Sequence, residues 1–306
     1  MPLTPKIHLY TIGWNEERML PFFFRHYDRY VERYVFYDDG SNDRTAEILS
    51  HHSRVELRRL PRSDSDSFIQ SAATIRDNVW KESRGQADWV IVTDVDEHLY
   101  HPELQSYLHC CRKNGVTIIP ALGFQMVTRE FPDAGSLLCR DHTKGVPNRW
   151  MNKLGIFNPN AIEETLFRSG RHSARPKGLV RYPPSDTLLN LHYKYLGLEF
   201  VQQRNAELLE KLGPDKRDIS ARPGWSLDRN DLLTKLEAWL SKAIDISELS
   251  RRALDSHIDS DDPWYWRSPP WWRLRGWHLQ WWWLPMPYWA RARVKAIIRC
   301  LKSWVH

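Results

Sequence analysis

The sequence predicts an α/β fold, a mainly parallel sheet with flanking helices, and three observations predict it. Short apolar runs alternate with helix-period segments through the first hundred residues. Residues 89–93 are nearly all apolar, as a parallel strand covered on both faces should be. Two of these runs end in carboxylate clusters, Asp38/Asp39/Asp43 and Asp94/Asp96/Glu97. Open α/β sheets bind their ligands beyond the carboxyl ends of their strands.

Taken in order, residues 7–12 form a strand candidate that runs into the loop Gly13-Trp14-Asn15-Glu16. A helix over 17–30 would put Leu20, Phe23, Phe24 and Tyr27 on one side. Residues 34–37 read as the second strand, followed by turn chemistry in Asp38-Asp39-Gly40-Ser41-Asn42-Asp43, where Ser41 or Asp43 could cap a helix beginning near Thr45. A third strand is expected over 55–60, a helix over 68–83 and the apolar fourth strand over 89–93. Beyond it the pattern is irregular, with strand-like pieces at 117–121 and 188–193 between Gly- and Pro-rich loops. Two helices follow, 199–212, closed by Gly213-Pro214, and 228–253. After Asp261-Asp262-Pro263 the composition changes, and nine of the sixteen tryptophans fall between Trp264 and Trp289. The expected division is a catalytic domain over 1–220, a helical segment over 221–260 and a Trp-rich, basic, helical C-terminal extension over 261–306.

At 306 residues the chain can bury a sizeable core, and 42% hydrophobic with 27% charged residues excludes wholesale disorder. The net charge of +6 favours an anionic partner: nucleic acid, an acidic membrane face or a phosphorylated ligand. The four cysteines form no CxxC pair, and adjacent Cys110 and Cys111 suit neither a disulfide framework nor a zinc site. Reduced thiols and a cytoplasmic location are expected. The first residues lack a secretory apolar region, and no run reaches the 18 or so apolar residues of a spanning helix. A membrane, if involved, would be met peripherally on its inner face.

In Asp94-Val95-Asp96 the alternation of an extended chain sends the two carboxylates to opposite sides. One can bind a divalent cation while the other meets a ribose, or both can reach the metal where the turn bends. Hard oxygen ligands suit Mg²⁺ or Mn²⁺, which keep positions open for nucleotide phosphates.

Taken together, these segments resemble the donor-binding half of family-2-type glycosyltransferases of the GT-A fold, strongly over residues 7–100 and weakly to about 220. Thr11-Ile12-Gly13-Trp14-Asn15-Glu16 is similar to the family's opening motif, whose loop lies near the nucleotide. Asp38-Asp39-Gly40-Ser41-Asn42-Asp43-Arg44-Thr45 resembles its base- and ribose-recognising segment. Ile75-Arg76-Asp77-Asn78 is similar to its A-R-N helix, with Asp77 a departure, and Asp94-Val95-Asp96-Glu97 to its metal-binding motif in the D-V-D-E form. The resemblance implies a metal-dependent, inverting transferase that takes a sugar from a nucleoside diphosphate sugar to a cell-surface or lipid-linked glycan acceptor. It implies nucleotide contacts from Asn15, Glu16, Asp38, Asp39, Ser41, Asp43, Arg76 and Asp94.

The resemblance also implies a late histidine completing the metal site with Asp94 and Asp96. His192, at the end of a strand-like run, looks like that residue, and His172 is a rival. Lys153, Lys194 and Arg204 could contact the diphosphate. An inverting transfer needs a carboxylate to deprotonate the acceptor hydroxyl. Glu130 and Asp133, in a loop plausible over the site, are the candidates singled out, with Asp141, Glu163 and Glu164 behind them.

In the tail, Val294, Ile297, Ile298, Leu301, Trp304 and Val305 gather on one helical face and Arg291, Lys295, Arg299 and Lys302 beside it. Such a basic amphipathic helix suits an anionic membrane surface. Docking on the catalytic domain and stacking on a carbohydrate stay open. A nucleotidyltransferase is the alternative enzyme, but Gly13-Trp14-Asn15-Glu16-Glu17 is acidic where a basic phosphate loop would be needed. A nucleic-acid-binding protein would use the basic, aromatic tail, yet it leaves the strand-end carboxylates unexplained, so no nucleic-acid partner is expected.

Overall fold

In the computed structural model, which describes residues 4–62, 68–167, 169–172, 174–183, 187–212 and 228–249, the first strand lies inside a ten-stranded sheet. That strand, β1 (Ile7–Gly13), pairs in parallel with β2 (Arg33–Asp38) on one side and β4 (Trp89–Val92) on the other, and β2 pairs in parallel with β3 (Val55–Arg59). Every residue of β1 and β4 is buried; β4 reads as an unbroken apolar run, and β1 carries the buried polar residues His8 and Thr11 among its apolar ones. Helices α1 (Leu20–Tyr27), α2 (Thr45–His51) and α3 (Phe68–Asn78) form the crossovers between these parallel strands. α1 is shorter than the expected 17–30. Pro21 has no N–H to donate and fits only its first turn, and the chain beyond Tyr27 closes by turn bonds from Tyr30 and Val31 to Tyr27. α3 likewise stops at Asn78 and tightens into a 3-10 turn over Val79–Ser83, where Trp80 packs edge-on against Phe157.

The second half completes the sheet. β5 (Glu97–Tyr100) leads to α4 (Leu104–Lys113) and then to β6 (Ile118–Thr128), eleven residues long where only 117–121 was expected. After the one-turn helix α5 (Leu138–Asp141), β7 (Lys144–Pro147) and β8 (Lys153–Phe157) return antiparallel to β6, and β8 also pairs antiparallel with β4. A separate ribbon joins β9 (Ile162–Glu164) to β10 (Lys177–Gly178). β11 (Leu188–Leu196) runs parallel to β6 and antiparallel to β5. Within the large sheet β5, β7 and β8 run against the rest, so the sheet is mixed but mostly of one direction. The C-terminal ends of β1, β2, β4, β6 and β11 therefore share one edge.

α6 (Leu198–Leu212) and α7 (Arg229–Leu240) follow. Asp228 caps α7 by accepting the Asp231 N–H, and Leu232 and Leu236 enter the main core. α7 ends at Leu240, short of the expected 253, because Ile244–Asp245, strand β12, pairs with β7 instead. Asp245 then accepts the Ser247 N–H and starts a new turn. No helix among the described residues is long and apolar enough to cross a membrane. The Trp-rich tail lies outside the described residues.

Candidate functional site

The loops after β1 and β2 are fastened face to face. Asn15 sits at φ 52°, in the left-handed region that asparagine tolerates. This conformation lets its N–H reach Ser41 Oγ at 2.8 Å while its side-chain amide exchanges two hydrogen bonds with Asn42. The Glu16 N–H donates to Thr45 Oγ1, and Asp43 takes the N–H groups of Glu17 and Thr45 on its two oxygens. Asp43, just before the N-cap residue Arg44, thus satisfies the first N–H of α2. Asp38 builds the turn itself, accepting from the Gly40 N–H, the Ser41 N–H and the Ser41 hydroxyl. Asp39 is nearly buried, its carboxylate bound by Arg62 and by Lys211 Nζ at 2.7 Å. The expected nucleotide residues Asn15, Glu16, Asp38, Asp39, Ser41 and Asp43 therefore form one unit across two strand ends.

α6 closes against this unit. Arg204 donates to the carbonyl oxygens of Trp14 and Asn15 and to Glu16 Oε1. The cleft between α6 and the loop is lined by Asn15, Glu16, Asp43, Phe200, Gln203 and Arg204. Burial pushes the Glu16 carboxyl up to about 7, against the pull of Arg204.

β4 ends in a tight turn in which the Glu97 N–H donates to the Asp94 carbonyl at 3.1 Å. The two aspartates diverge. Asp94 faces Arg76, with which it pairs, and Arg171, 3.1 Å away. Burial alone would raise its pKa, but Arg76, Arg171 and Lys153 hold it far below the usual carboxylate range. Glu97, 2% exposed, lies between Arg171 at 2.6 Å and Lys153 at 3.1 Å. Lys153 is itself buried and ties Glu97 to the Gly170 carbonyl, so it serves the fold beneath the turn. Arg171 enters this network from a turn in which Gly170 and Arg171 both have positive φ. Sequence reasoning passed over Arg171. The only signal was its place beside Gly170 and His172.

Asp96 faces the other way. Its Oδ2 lies 3.2 Å from His192 Nε2, and His192 Nδ1 lies 2.7 Å from Gln125 Oε1. The Asp96 carboxyl, which burial would raise, is lowered by His192. Carboxylate oxygen suits Mg²⁺ and Mn²⁺, and the imidazole is better tolerated by Mn²⁺. The Asp96–His192 separation is close to the edge of an octahedron with bonds of about 2.1 Å, roughly 3 Å. These two donors fit a divalent cation. Asp94, expected with them, is turned to its arginines instead, and among the described residues no group of three or more His, Cys, Asp and Glu is placed to hold a metal. The remaining positions would fall to phosphate oxygens and water.

His172 is exposed and bonded through Nδ1 to the Trp150 carbonyl. Glu130 and Asp133 are exposed on the loop after β6, at the same edge as the turn. Among the described residues neither makes an ion pair with the turn.

No family model and no curated protein sequence matches the chain. Among solved structures it is similar to residues 1–349 of S. aureus TarS, with TM-score 0.35 and 11% identity, covering 78% of this chain and 71% of that one. The same TarS segment in complex with UDP-GlcNAc gives TM-score 0.37 and 12% identity over 78% and 72%. Glucosyl-3-phosphoglycerate synthase from Mycobacterium tuberculosis, solved with Mn²⁺, UDP and phosphoglyceric acid, gives TM-score 0.29 and 18% identity over 40% and 43%.

Proposed function

We propose that the chain is a metal-dependent, inverting glycosyltransferase of the GT-A type, moving a sugar from a nucleoside diphosphate sugar to a glycan or lipid-linked acceptor. The observation that carries this reading is the divergence of Asp94 and Asp96 at the end of β4, with Asp96 beside His192 and the fastened β1 and β2 loops at the same sheet edge. Asp96 and His192 would hold Mn²⁺ or Mg²⁺, and a bound cation neutralises charge on the diphosphate leaving group. Asn15, Glu16, Asp38, Asp39, Ser41 and Asp43 form the base and ribose site. Arg76 keeps Asp94 ionised beside it. A carboxylate on the loop after β6, Glu130 or Asp133, takes the acceptor proton as the hydroxyl attacks the anomeric carbon. The tail over 261–306, outside the described residues, brings the protein to an anionic membrane face carrying a lipid-linked acceptor.

A panel of nucleoside diphosphate sugars tests the reading by thermal unfolding with Mn²⁺ and with EDTA. One donor should raise the Tm only when Mn²⁺ is present, and Asp96→Ala should remove that increment. A donor shift of equal size in EDTA would remove the metal from the proposal. No shift with any donor would remove the transferase reading.

A further inference from the structure

We infer that Gln125 is a positioning residue that holds His192 in the Nδ1–H tautomer and so presents the Nε2 lone pair to a cation beside Asp96; this rests on the metal reading above. Gln125 lies in β6 with 2% exposure, between buried Phe124 and Met126. A buried amide is costly unless its polar groups are paired, and here all are. Its Nε2 donates to the His192 carbonyl at 2.8 Å and to the Met126 carbonyl at 3.3 Å. The two carbonyls decide the orientation of the amide, because a flipped group would set its own oxygen against both. Oε1 therefore faces His192 Nδ1 at 2.7 Å and can only accept. The ring proton belongs on Nδ1.

The backbone enforces the same arrangement. Gln125 and His192 are register partners between β6 and β11, and the register breaks immediately after His192. On the other side of β11 the antiparallel register with β5 runs on by one residue, and the Tyr193 N–H donates to the Asp96 carbonyl at 2.7 Å. That bond ties the backbone of β11 to the turn that carries Asp96. The ring is fixed on both sides, by Gln125 at Nδ1 and by the turn near Nε2. With Nδ1 committed to Gln125, only Nε2 faces the Asp96 oxygen, at 3.2 Å. In the metal-free chain a second ring proton on Nε2 pairs it with Asp96 and lowers that carboxyl, and a divalent cation would take the place of that proton. Partners of this kind fix the tautomer of a ligating histidine and raise its basicity.

Mn²⁺ titrated calorimetrically into the full chain tests the inference, with Asp96→Ala, Gln125→Leu and Gln125→Glu alongside. Leucine keeps the volume and removes the acceptor, whereas glutamate, protonated on the oxygen that replaces Nε2, keeps both an acceptor for the Nδ1–H and a donor for the carbonyls. Gln125→Leu should weaken Mn²⁺ binding roughly 10- to 100-fold, and Gln125→Glu should restore it to within about threefold of the parent. The ¹⁵N imidazole spectrum of the unsubstituted, Mg²⁺-saturated chain should place the His192 proton on Nδ1, and this readout stands even where Gln125→Leu fails to fold. Unchanged Mn²⁺ affinity in Asp96→Ala would overturn the metal reading itself. Loss in Asp96→Ala with parental affinity in Gln125→Leu, or a proton on Nε2, would overturn the role of Gln125 alone.

Discussion

Arg204 spans 188 residues of sequence to place its guanidinium 2.5 Å from Glu16 Oε1. The same group holds the carbonyls of Trp14 and Asn15, and Lys211, two turns further along α6, lies over the Trp14 ring and binds Asp39. α6 is in this way latched to both loops of the proposed nucleotide site.

Removing the latch has a defined cost. Arg204→Met leaves a buried carboxyl group and two carbonyls without their donor, which should cost about 1–3 kcal/mol of stability in urea unfolding. Glu16 also sets a pH dependence. Its carboxyl, pushed up to about 7 by burial, keeps in the folded chain a proton that the unfolded chain loses near 4.5. Its contribution is full below pH 4.5 and is lost as pH rises through 7. Glu16→Gln should flatten that fall. An unchanged slope between pH 5 and pH 8 would show that Glu16 does not titrate there.

The opposite limb belongs to His26 and His98, stacked with ring centroids 4.6 Å apart in the core. Burial lowers His26 to about 4 and carries His98 well below its ordinary value. The folded chain thus refuses protons that the unfolded chain binds near 6.5. Stability is fully present above pH 6.5 and drains away as pH falls through 4, by up to about 3 kcal/mol for His26 alone. His26→Gln, which keeps a donor for the Leu99 carbonyl, should be destabilised at pH 7 yet lose less between pH 6.5 and 4 than the parent. Parallel stability curves for the two proteins would rule this out.

Arg171 should be the most costly single charge to remove. It is buried, pairs with Glu97 and Asp94, and donates to the Val92 carbonyl at the end of β4. Arg171→Met strands Glu97 on Lys153 alone, and breaking a buried pair from one side costs on the order of 3–5 kcal/mol. Double substitution with Glu97→Gln should recover part of that loss. A Tm within a degree or two of the parent for Arg171→Met would show that the network carries no such energy.

These residues also mark where the sequence stopped being legible. The buried parallel strands β1, β2 and β4, and the carboxylate ends of β2 and β4, follow from local pattern, because a strand covered on both faces is largely apolar and its end must turn. β5 was hidden because Glu97 reads as part of an acidic cluster. Its burial depends on Arg171, 74 residues away. β6 runs seven residues beyond the expected piece since Gly123 and Gln125 break the apolar pattern. Gly123 is there because Met151 and Asn148 leave no room for a Cβ, and Gln125 because it meets a ring 67 residues later. The length of α7 failed for a similar reason, since Ile244–Asp245 satisfies its backbone on β7 and not along the helix. Of the site, the strand-end residues were visible and their fastening partners, Gln125 and Arg171, were not. Long-range polar pairing leaves no period in a sequence.

Asp39 separates two roles that one carboxylate could play. Its side chain is 5% exposed and bound by Arg62 and Lys211, so it ties α6 and the segment after β3 to the β2 loop. A carboxylate that contacts base or ribose does so without a cation. Asp39→Ala should then weaken nucleoside binding in EDTA roughly tenfold, the loss of about one charge-assisted hydrogen bond. The same substitution frees Arg62 and Lys211 from their shared anion. The two cations should attract phosphate more strongly, so the affinity added by a diphosphate should rise at low salt and shrink at high salt. Calorimetry with uridine, adenosine and guanosine, each beside its diphosphate and at both ionic strengths, resolves the two effects. Weaker nucleoside binding with a larger, salt-sensitive diphosphate increment is the expected result. Parental nucleoside affinity in Asp39→Ala, with only the stability lowered, would leave Asp39 as the tie between α6 and the loop and take it out of the nucleotide site.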